Sequence, residues 1–152
     1  ARSMSSLSAD LMATGVRSEH VGAVWPDLWP LLRPAYEKSD LKIDILGELL
    51  ARRCNLWAIY DKNRPIAGIV TRFLLREDKQ PSEKHGHLWL VGGSCVSAWA
   101  GDFIEKYKAY ARDEGACAVT GNGRPGWHRL VRKHGGYRTD DLDGQPCWRL
   151  DL

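Results

Sequence analysis

The segment WLVGGSCVSAWAG, residues 89–101, decides the fold, because it joins an apolar run to a helical pattern through two glycines and small polar residues. The run HLWLV, which begins at His87, predicts a buried strand, since it is short, continuous and apolar. The glycines could let backbone N–H groups approach an anion at a helix N-terminus, or could only form a tight turn. These residues alone leave both interpretations open.

The clearest helix of the sequence covers residues 98–114. One of its faces is apolar and carries Ala100, Phe103, Ile104, Tyr107 and Ala111. Gly115 follows as a C-cap, and residues 117–120 then predict a short strand. A long helix between two buried strands indicates a βαβ crossover, in which the two strands pair in parallel.

The first half of the chain predicts a weak strand at residues 11–17 and helices after it. The helical pattern of residues 21–36 is interrupted by three prolines, Pro26, Pro30 and Pro34. Because proline breaks a helix interior, we expect one or two short, kinked helical turns there. Asp40 can cap a second helix, whose apolar stripe continues to Arg53.

The remaining segments are mainly β-rich. Residues 56–60 and 66–75 flank the turn DKNRP and predict a hairpin, and the charged residues 76–86 predict a loop. A short basic helix and a final hairpin follow at residues 127–134, 137–139 and 147–152. The order β-α-α-β-β-β-α-β-α-β-β predicts the α/β (α+β) class, with a mixed, mostly antiparallel central sheet and helices on both faces.

The composition is that of a soluble globular protein: 152 residues, 43% hydrophobic and 27% charged. We assign residues 11–152 to one domain and residues 1–10 to a flexible tail. No apolar run is long enough to span a membrane, and a net charge of +3 gives no argument for nucleic acid. The four cysteines are widely spaced, which favours reduced thiols and a cytoplasmic location.

Three segments together resemble a known superfamily: LWAIYDKNRPIAGIVTRF from Leu56, HLWLVGGSCVSAWAGDFIEKYKAYARDEGA from His87, and GRPGWHRLVRKHGGYR from Gly123. Their order resembles the GNAT (N-acetyltransferase) superfamily. The two glycines near the end of the fourth strand, with a tryptophan in the next helix, most resemble the small GNAT-like proteins of tailed bacteriophages. The resemblance implies a GNAT-like domain and an acyl-CoA-dependent N-acetyltransferase activity.

The resemblance also implies where acetyl-CoA lies: along the fourth strand, with its pyrophosphate at the N-terminus of the following helix. The implied cofactor-binding residues are Leu90, Val91, Gly92, Gly93, Ser94, Cys95, Val96, Ala98 and Trp99. The sequence departs from the superfamily's R/Q-x-x-G-x-G/A loop, and it has no basic side chain between Val91 and Asp102. Backbone N–H groups, or a residue distant in sequence, must then meet the phosphate charge.

A second departure concerns catalysis. Many members of the superfamily carry a tyrosine about four residues before a closing Gly-aromatic pair, and this tyrosine can protonate the leaving thiolate. Here the pair is Gly136 and Tyr137, and Val131 or Arg132 stands at the matching place. We therefore expect direct attack of an amine on acetyl-CoA, with His87 as the candidate general base. A histidine that only faces solvent at a strand end is the alternative.

Three other patterns in the sequence have both a functional and a structural interpretation. His85 and His87 would share one face of a strand and could form half of a metal site, but no third ligand lies at short spacing, so we predict no metal. Cys95 could be a nucleophile near a helix N-terminus or a small buried thiol. Basic residues between 124 and 138 could bind an acidic partner or the 3′-phosphate of CoA, or could form a solvated face.

Two functions from different classes remain. The first is an N-acetyltransferase whose partners are acetyl-CoA and an amine acceptor. The second is a phage protein with a degenerate GNAT fold, which binds a host protein in the host cytoplasm and modulates it. A virion-associated component is a third interpretation, and a homodimer is compatible with each, since GNAT-like domains often pair.

Overall fold

The computed structural model describes residues 11–122, 125–142 and 145–152, and the tail predicted for residues 1–10 lies outside them. The strands are β1 (Leu11–Val16), β2 (Asn55–Asp61), β3 (Arg64–Arg76), β4 (Glu83–Gly93), β5 (Ala118–Asn122), β6 (Tyr137–Leu142) and β7 (Gln145–Asp151). The helices are α1 (Ser18–Lys38), α2 (Ile45–Leu50), α3 (Val96–Asp113) and α4 (Pro125–Arg132). The order of these elements is the predicted one.

The strands form one sheet in the order β1-β2-β3-β4-β5-β7-β6. β1 with β2, β2 with β3, β5 with β7, and β6 with β7 are antiparallel pairs. β4 and β5 pair in parallel from His85 opposite Ala118 to Leu88 opposite Gly121, and β4 continues beyond this ladder to Gly93. The parallel pair with α3 between its strands confirms the crossover, and the predicted fold class is confirmed with it.

β4 begins at Glu83 rather than at His87, so part of the predicted charged loop is strand. The polar residues at its start have partners within the fold. The Oε1 atom of Glu83 lies 2.9 Å from Nε2 of His85 and accepts a hydrogen bond of 3.1 Å from Nη1 of Arg149. Because these contacts balance the charge, a polar segment can occupy a sheet position. His87 is consequently an interior residue of β4 and not its first.

α1 is one continuous helix of 21 residues, and the prediction of one or two short, kinked turns was wrong. The three prolines recur every fourth residue and all lie on the exposed side of the helix: Pro26, Pro30 and Pro34. The carbonyl groups that lose a helical partner therefore lie on the solvent side, where water can satisfy them. The opposite side, with Leu28 and Leu32 fully buried, supplies the packing that stabilises the helix.

α2 is shorter than predicted, and Asp44 rather than Asp40 is its N-cap residue. Side-chain hydrogen bonds hold the preceding residues outside a helix. The amide of Leu41 donates to Oγ of Ser39 at 3.2 Å, and the hydroxyl of Tyr36 donates to the carbonyl oxygen of Ile43 at 2.9 Å. Such local bonds compete with helical ones, so the helix starts only where the apolar run ILGELL begins.

The described residues cluster into two compact units. One contains the residues up to Thr71 together with Leu90–Ala100, and its core includes Leu28, Leu32, Leu56, Ile59, Ile69 and Trp99. The other contains Arg72–Trp89 and Gly101–Leu152, and its core includes Phe103, Ile104, Tyr107, Val119, Trp148 and Leu150. The ring of Trp127, at the start of α4, stacks on Trp148 of β7 with 6.2 Å between centroids.

Two further findings concern membrane-spanning helices and cysteines. No helix among the described residues is long and apolar enough to cross a membrane. Cys54, Cys95, Cys117 and Cys147 form no disulfide in the structure.

Candidate functional site

The two glycines at the end of β4 are required by packing. A Cβ atom at Gly92 would collide with the carbonyl oxygen of Leu31 in α1. A Cβ atom at Gly93 would collide with Ala67 and with the carbonyl oxygen of Ile66 in β3, and Gly93 has a φ of +126°. Both glycines therefore serve the close approach of α1 and β3 to β4, which explains them without any ligand.

The turn after β4 is fixed by hydrogen bonds to its own unit. The amide of Ser94 donates to the carbonyl oxygen of Ile66 at 3.0 Å. This amide is therefore already bonded and is not available to an anion. The indole N–H of Trp99 donates to the carbonyl oxygen of Ser94 at 2.9 Å. Trp99 is buried, as is Leu90, and the role of these two residues in cofactor binding stays a prediction.

The start of α3 supplies the remaining amides. The amide of Ala98 donates to the carbonyl oxygen of Cys95 at 2.9 Å, whereas the amides of Cys95, Val96 and Ser97 have no protein acceptor in the part of the chain that the structure describes. The first turn of α3 carries no acidic side chain. Three N–H groups without a protein acceptor and the positive end of the helix dipole therefore lie at a turn in which Ser94 and Ser97 are exposed, which favours an anion there.

Cys95 shapes this arrangement through its backbone. Its φ is +58°, a left-handed conformation that non-glycine residues rarely adopt. Such conformations cost free energy and cluster where a structure fixes backbone groups for a purpose. Here the conformation lies at the point where the chain turns from β4 into α3.

Ser97 belongs to this set but was missed by the sequence reasoning. The helix was predicted to begin at Ala98, whereas it begins at Val96, so Ser97 lies in its first turn. The preference of serine for helix N-termini was the signal that could have placed it there. Ser97 and Ser94 are exposed, and Val91, Gly92 and Ala98 are half-buried.

His87 is enclosed and does not face solvent. Only 3% of its surface is exposed, and its Nδ1 atom lies 2.9 Å from Oγ1 of Thr120 in β5. Burial, with smaller contributions from the positive charge of Arg72 and from His85, lowers the pKa of His87 to about 4. The imidazole is therefore neutral at physiological pH and a weak base.

His85 lies in an ion-pair cluster. One potential metal-ligand atom from each of Glu83, His85 and Cys117 lies within 4.8 Å of the other two. The spacing of residues in the sequence did not indicate this third candidate ligand. Hydrogen bonds from His85 and Arg149 hold the pKa of Glu83 below its usual range. Because the guanidinium of Arg149 already lies 3.1 Å from Glu83, the positive charge that balances this carboxylate is in place. The absence of a metal stays a prediction.

The basic residues of the second half do not converge on one point. Arg129, Arg132, Lys133 and Arg138 are all exposed, and Arg124 lies outside the described residues. His134 is held at α3, with its Nδ1 atom 3.0 Å from Oε2 of Glu105. This pattern is that of a solvated face.

No protein-family model matches the sequence, and no curated protein matches it. Solved structures match the fold. An agmatine N-acetyltransferase, in a mutant apo form, has a TM-score of 0.67 at 12% identity, over 94% of this chain and 100% of that one. An N-acetyltransferase from Staphylococcus aureus has a TM-score of 0.66 at 11% identity, over 93% and 97%.

The toxin AtaT, bound to the C-terminus of the antitoxin AtaR and to acetyl-CoA, is also similar. Its TM-score is 0.61 at 7% identity, over 93% of each chain. The chain therefore has the fold of the GNAT N-acetyltransferases. Identities this low establish the fold alone, and the relation to phage proteins stays a prediction.

Proposed function

We propose that the protein is an acyl-CoA-dependent N-acetyltransferase that binds the pyrophosphate of acetyl-CoA on the amides of Cys95, Val96 and Ser97. One observation carries this proposal: these amides lack protein acceptors among the described residues and lie at a helix start without acidic side chains. Free N–H groups at a helix N-terminus suit a phosphate group, because they can donate hydrogen bonds to it and the helix dipole favours its negative charge. The GNAT fold adds support, because acetyltransferases share it.

In the proposed reaction an amine nitrogen attacks the thioester carbonyl of acetyl-CoA. The new N–C bond forms as the C–S bond breaks, the CoA thiolate leaves and takes up a proton, and the amine gives up a proton. The end of β4 would supply backbone N–H groups around Val91 to polarise the carbonyl oxygen. The chain's other contribution is to hold the two reactants in line.

The environment of His87 does not suit a general base. His87 is almost fully enclosed and has a pKa of about 4, so it accepts a proton poorly. We therefore favour an amine that loses its proton to water before the attack. The catalytic role of His87 stays a prediction, and kinetic profiles of the His87→Gln variant against pH would decide it.

Calorimetric titration of the pure protein with acetyl-CoA tests the proposed site. We expect micromolar binding, weakened at least about tenfold by Ser97→Glu, because the new carboxylate repels the pyrophosphate. The neutral analogue Ser97→Gln is the matched control and should bind within about threefold of the wild type. A glutamate in the first turn also favours the helix, so a lost affinity cannot be ascribed to unfolding.

The opposite results are equally informative. No binding of acetyl-CoA or CoA at millimolar concentration would overturn the transferase. Equal affinity in the Ser97→Glu and Ser97→Gln variants would place the cofactor elsewhere.

The alternative is a phage-encoded protein with a degenerate GNAT fold that binds and modulates a host protein in the host cytoplasm. Two observations favour it. Packing alone explains Gly92 and Gly93, and the turn between β4 and α3 carries no cationic side chain. A pull-down from bacterial lysate, with the purified protein as bait and no added CoA, would test this function. A result with no partner above background would count against this function.

A further inference from the structure

Helix α1 carries a row of aromatic side chains beside its buried face. The rings of Trp25 and Trp29 stack with 5.3 Å between centroids, and Tyr36 meets Trp29 edge-on at 5.4 Å. All three side chains are only half-buried. Because each ring is only half-buried, part of its surface is accessible to a ligand.

These rings line a groove with a volume of about 280 Å³, which we call the aromatic groove. Its lining is completed by residues of the α1–α2 connection and the start of α2: Ile43, Asp44, Ile45 and Leu46. This volume is at the lower end of the range for small-molecule binding sites, so the groove suits a single small group rather than a segment of polypeptide. The Tyr36 hydroxyl fixes its wall through the 2.9 Å bond to Ile43.

Asp44 is the charged residue of the aromatic groove. It is the N-cap residue of α2, yet its carboxylate does not make the capping hydrogen bond. Among the described residues this carboxylate has no hydrogen bond or ion pair, and only the backbone carbonyl of Asp44 is bonded, to the amide of Glu48. A Cβ atom at Gly47 would lie 2.6 Å from Oδ2 of Asp44, so a glycine leaves room for the carboxylate at this place.

We propose that the aromatic groove binds a small organic cation, a guanidinium or an alkylammonium group. A cation is attracted to the faces of the tryptophan rings, and a guanidinium can also stack flat on them. The unpaired carboxylate of Asp44 supplies a charge-assisted hydrogen bond to the same group. An anion would be repelled by Asp44, and a neutral apolar group would leave that carboxylate unused.

One neighbouring positive charge, on α1, already has a partner. Arg33, the nearest arginine along α1, is paired with Glu37 at 2.6 Å. The groove thus combines half-exposed aromatic faces with one unneutralised carboxylate. Binding of this cation does not depend on the proposed transferase function.

Calorimetry with butylguanidinium, in the absence of acetyl-CoA, tests the proposal, and butylurea is its neutral isostere. We expect butylguanidinium to bind at least about tenfold more tightly than butylurea. The variant Asp44→Asn should reduce the affinity for butylguanidinium about fivefold or more. Since asparagine caps helices as well as aspartate does, this variant keeps the start of α2.

Asp40→Asn is the matched control, because Asp40 is exposed and does not line the aromatic groove. It should leave the affinity for butylguanidinium unchanged. Equal binding of butylguanidinium and butylurea would overturn the proposal, as would equal loss in the Asp40→Asn and Asp44→Asn variants. Tight butylguanidinium binding by a protein that does not bind acetyl-CoA would uphold the groove and overturn the transferase.

Discussion

Gly92 allows α1 to pack closely against the end of β4, because it has no side chain. In place of a Cβ atom, Gly92 presents a hydrogen to the carbonyl oxygen of Leu31. We predict that Gly92→Ala lowers the free energy of unfolding by about 3 kcal/mol, since backbone has to move to relieve the collision. Denaturant titration followed by circular dichroism measures this change.

Gly22→Ala provides the matched control for that substitution. Gly22 lies in the interior of α1, and a Cβ atom there would meet nothing within 4 Å. Alanine should therefore raise the free energy of unfolding by about 0.5–1 kcal/mol, through helix propensity alone. Similar changes in both variants would contradict the packing explanation of Gly92.

His87 gives the stability of the protein a specific dependence on pH. Its pKa is lowered to about 4 in the folded state, against an ordinary value of 6.5, so the unfolded chain binds the proton first as the pH falls. The contribution is complete above pH 6.5 and is lost as the pH falls toward 4. We expect this group alone to lower the free energy of unfolding by about 2 kcal/mol between pH 7.5 and pH 5.

Comparison with His87→Gln isolates that contribution. Glutamine does not titrate, so the variant should lose about 2 kcal/mol less than the wild type over the same interval. Denaturant titrations at the two pH values give the difference. Parallel losses in both proteins would show that His87 does not carry the dependence.

α1 is a helix that tolerates three prolines at a cost. Pro30 is exposed, lies in the middle of the helix and lacks the amide that would donate to the carbonyl oxygen of Pro26. A proline in a helix interior costs about 3 kcal/mol, and its rigidity in the unfolded chain returns about 1 kcal/mol. We predict that Pro30→Ala raises the free energy of unfolding by about 1–2 kcal/mol.

Asp27→Ala, at another exposed position of α1, is the control and should change the free energy of unfolding by less than about 0.5 kcal/mol. Thermal and denaturant unfolding both report the difference. A destabilised Pro30→Ala protein would show instead that α1 depends on the local shape that proline imposes.

Elements with local signals were predictable, and those set by distant contacts were not. The β2–β3 hairpin and the α3 helix follow from patterns within a few residues, so the sequence located them. The unbroken α1 depends on Leu28 and Leu32 being buried, and the start of β4 depends on Arg149 balancing Glu83. Neither contact can be read from nearby residues.

The candidate site shows the same limit. The sequence correctly drew attention to the β4–α3 junction, because a strand that runs into a helix is a local pattern. The contacts that constrain its residues come from distant parts of the chain. The carbonyl oxygens of Leu31 and Ile66 leave no room for side chains at positions 92 and 93, and that of Ile66 also accepts a hydrogen bond from the amide of Ser94. What remains for a ligand is the less conspicuous set of Cys95, Val96 and Ser97.

At the scale of the whole molecule, a ligand of the proposed site must stabilise the fold. A compound that binds only the folded protein, at about a hundred times its Kd, raises the free energy of unfolding by about 2.7 kcal/mol. We expect this increase with acetyl-CoA and its loss in the Ser97→Glu variant. Chemical denaturation with and without acetyl-CoA measures it, and an unchanged midpoint would contradict binding to the native state.

The prolines of α1 have one more consequence. A peptide with this sequence would not be helical by itself, because three of its positions cannot donate the bonds that propagate a helix. The stacked rings of Trp25 and Trp29 therefore exist as an ordered surface only in the assembled protein. A compound that binds this surface would therefore bind the folded protein and would not bind an isolated α1 peptide.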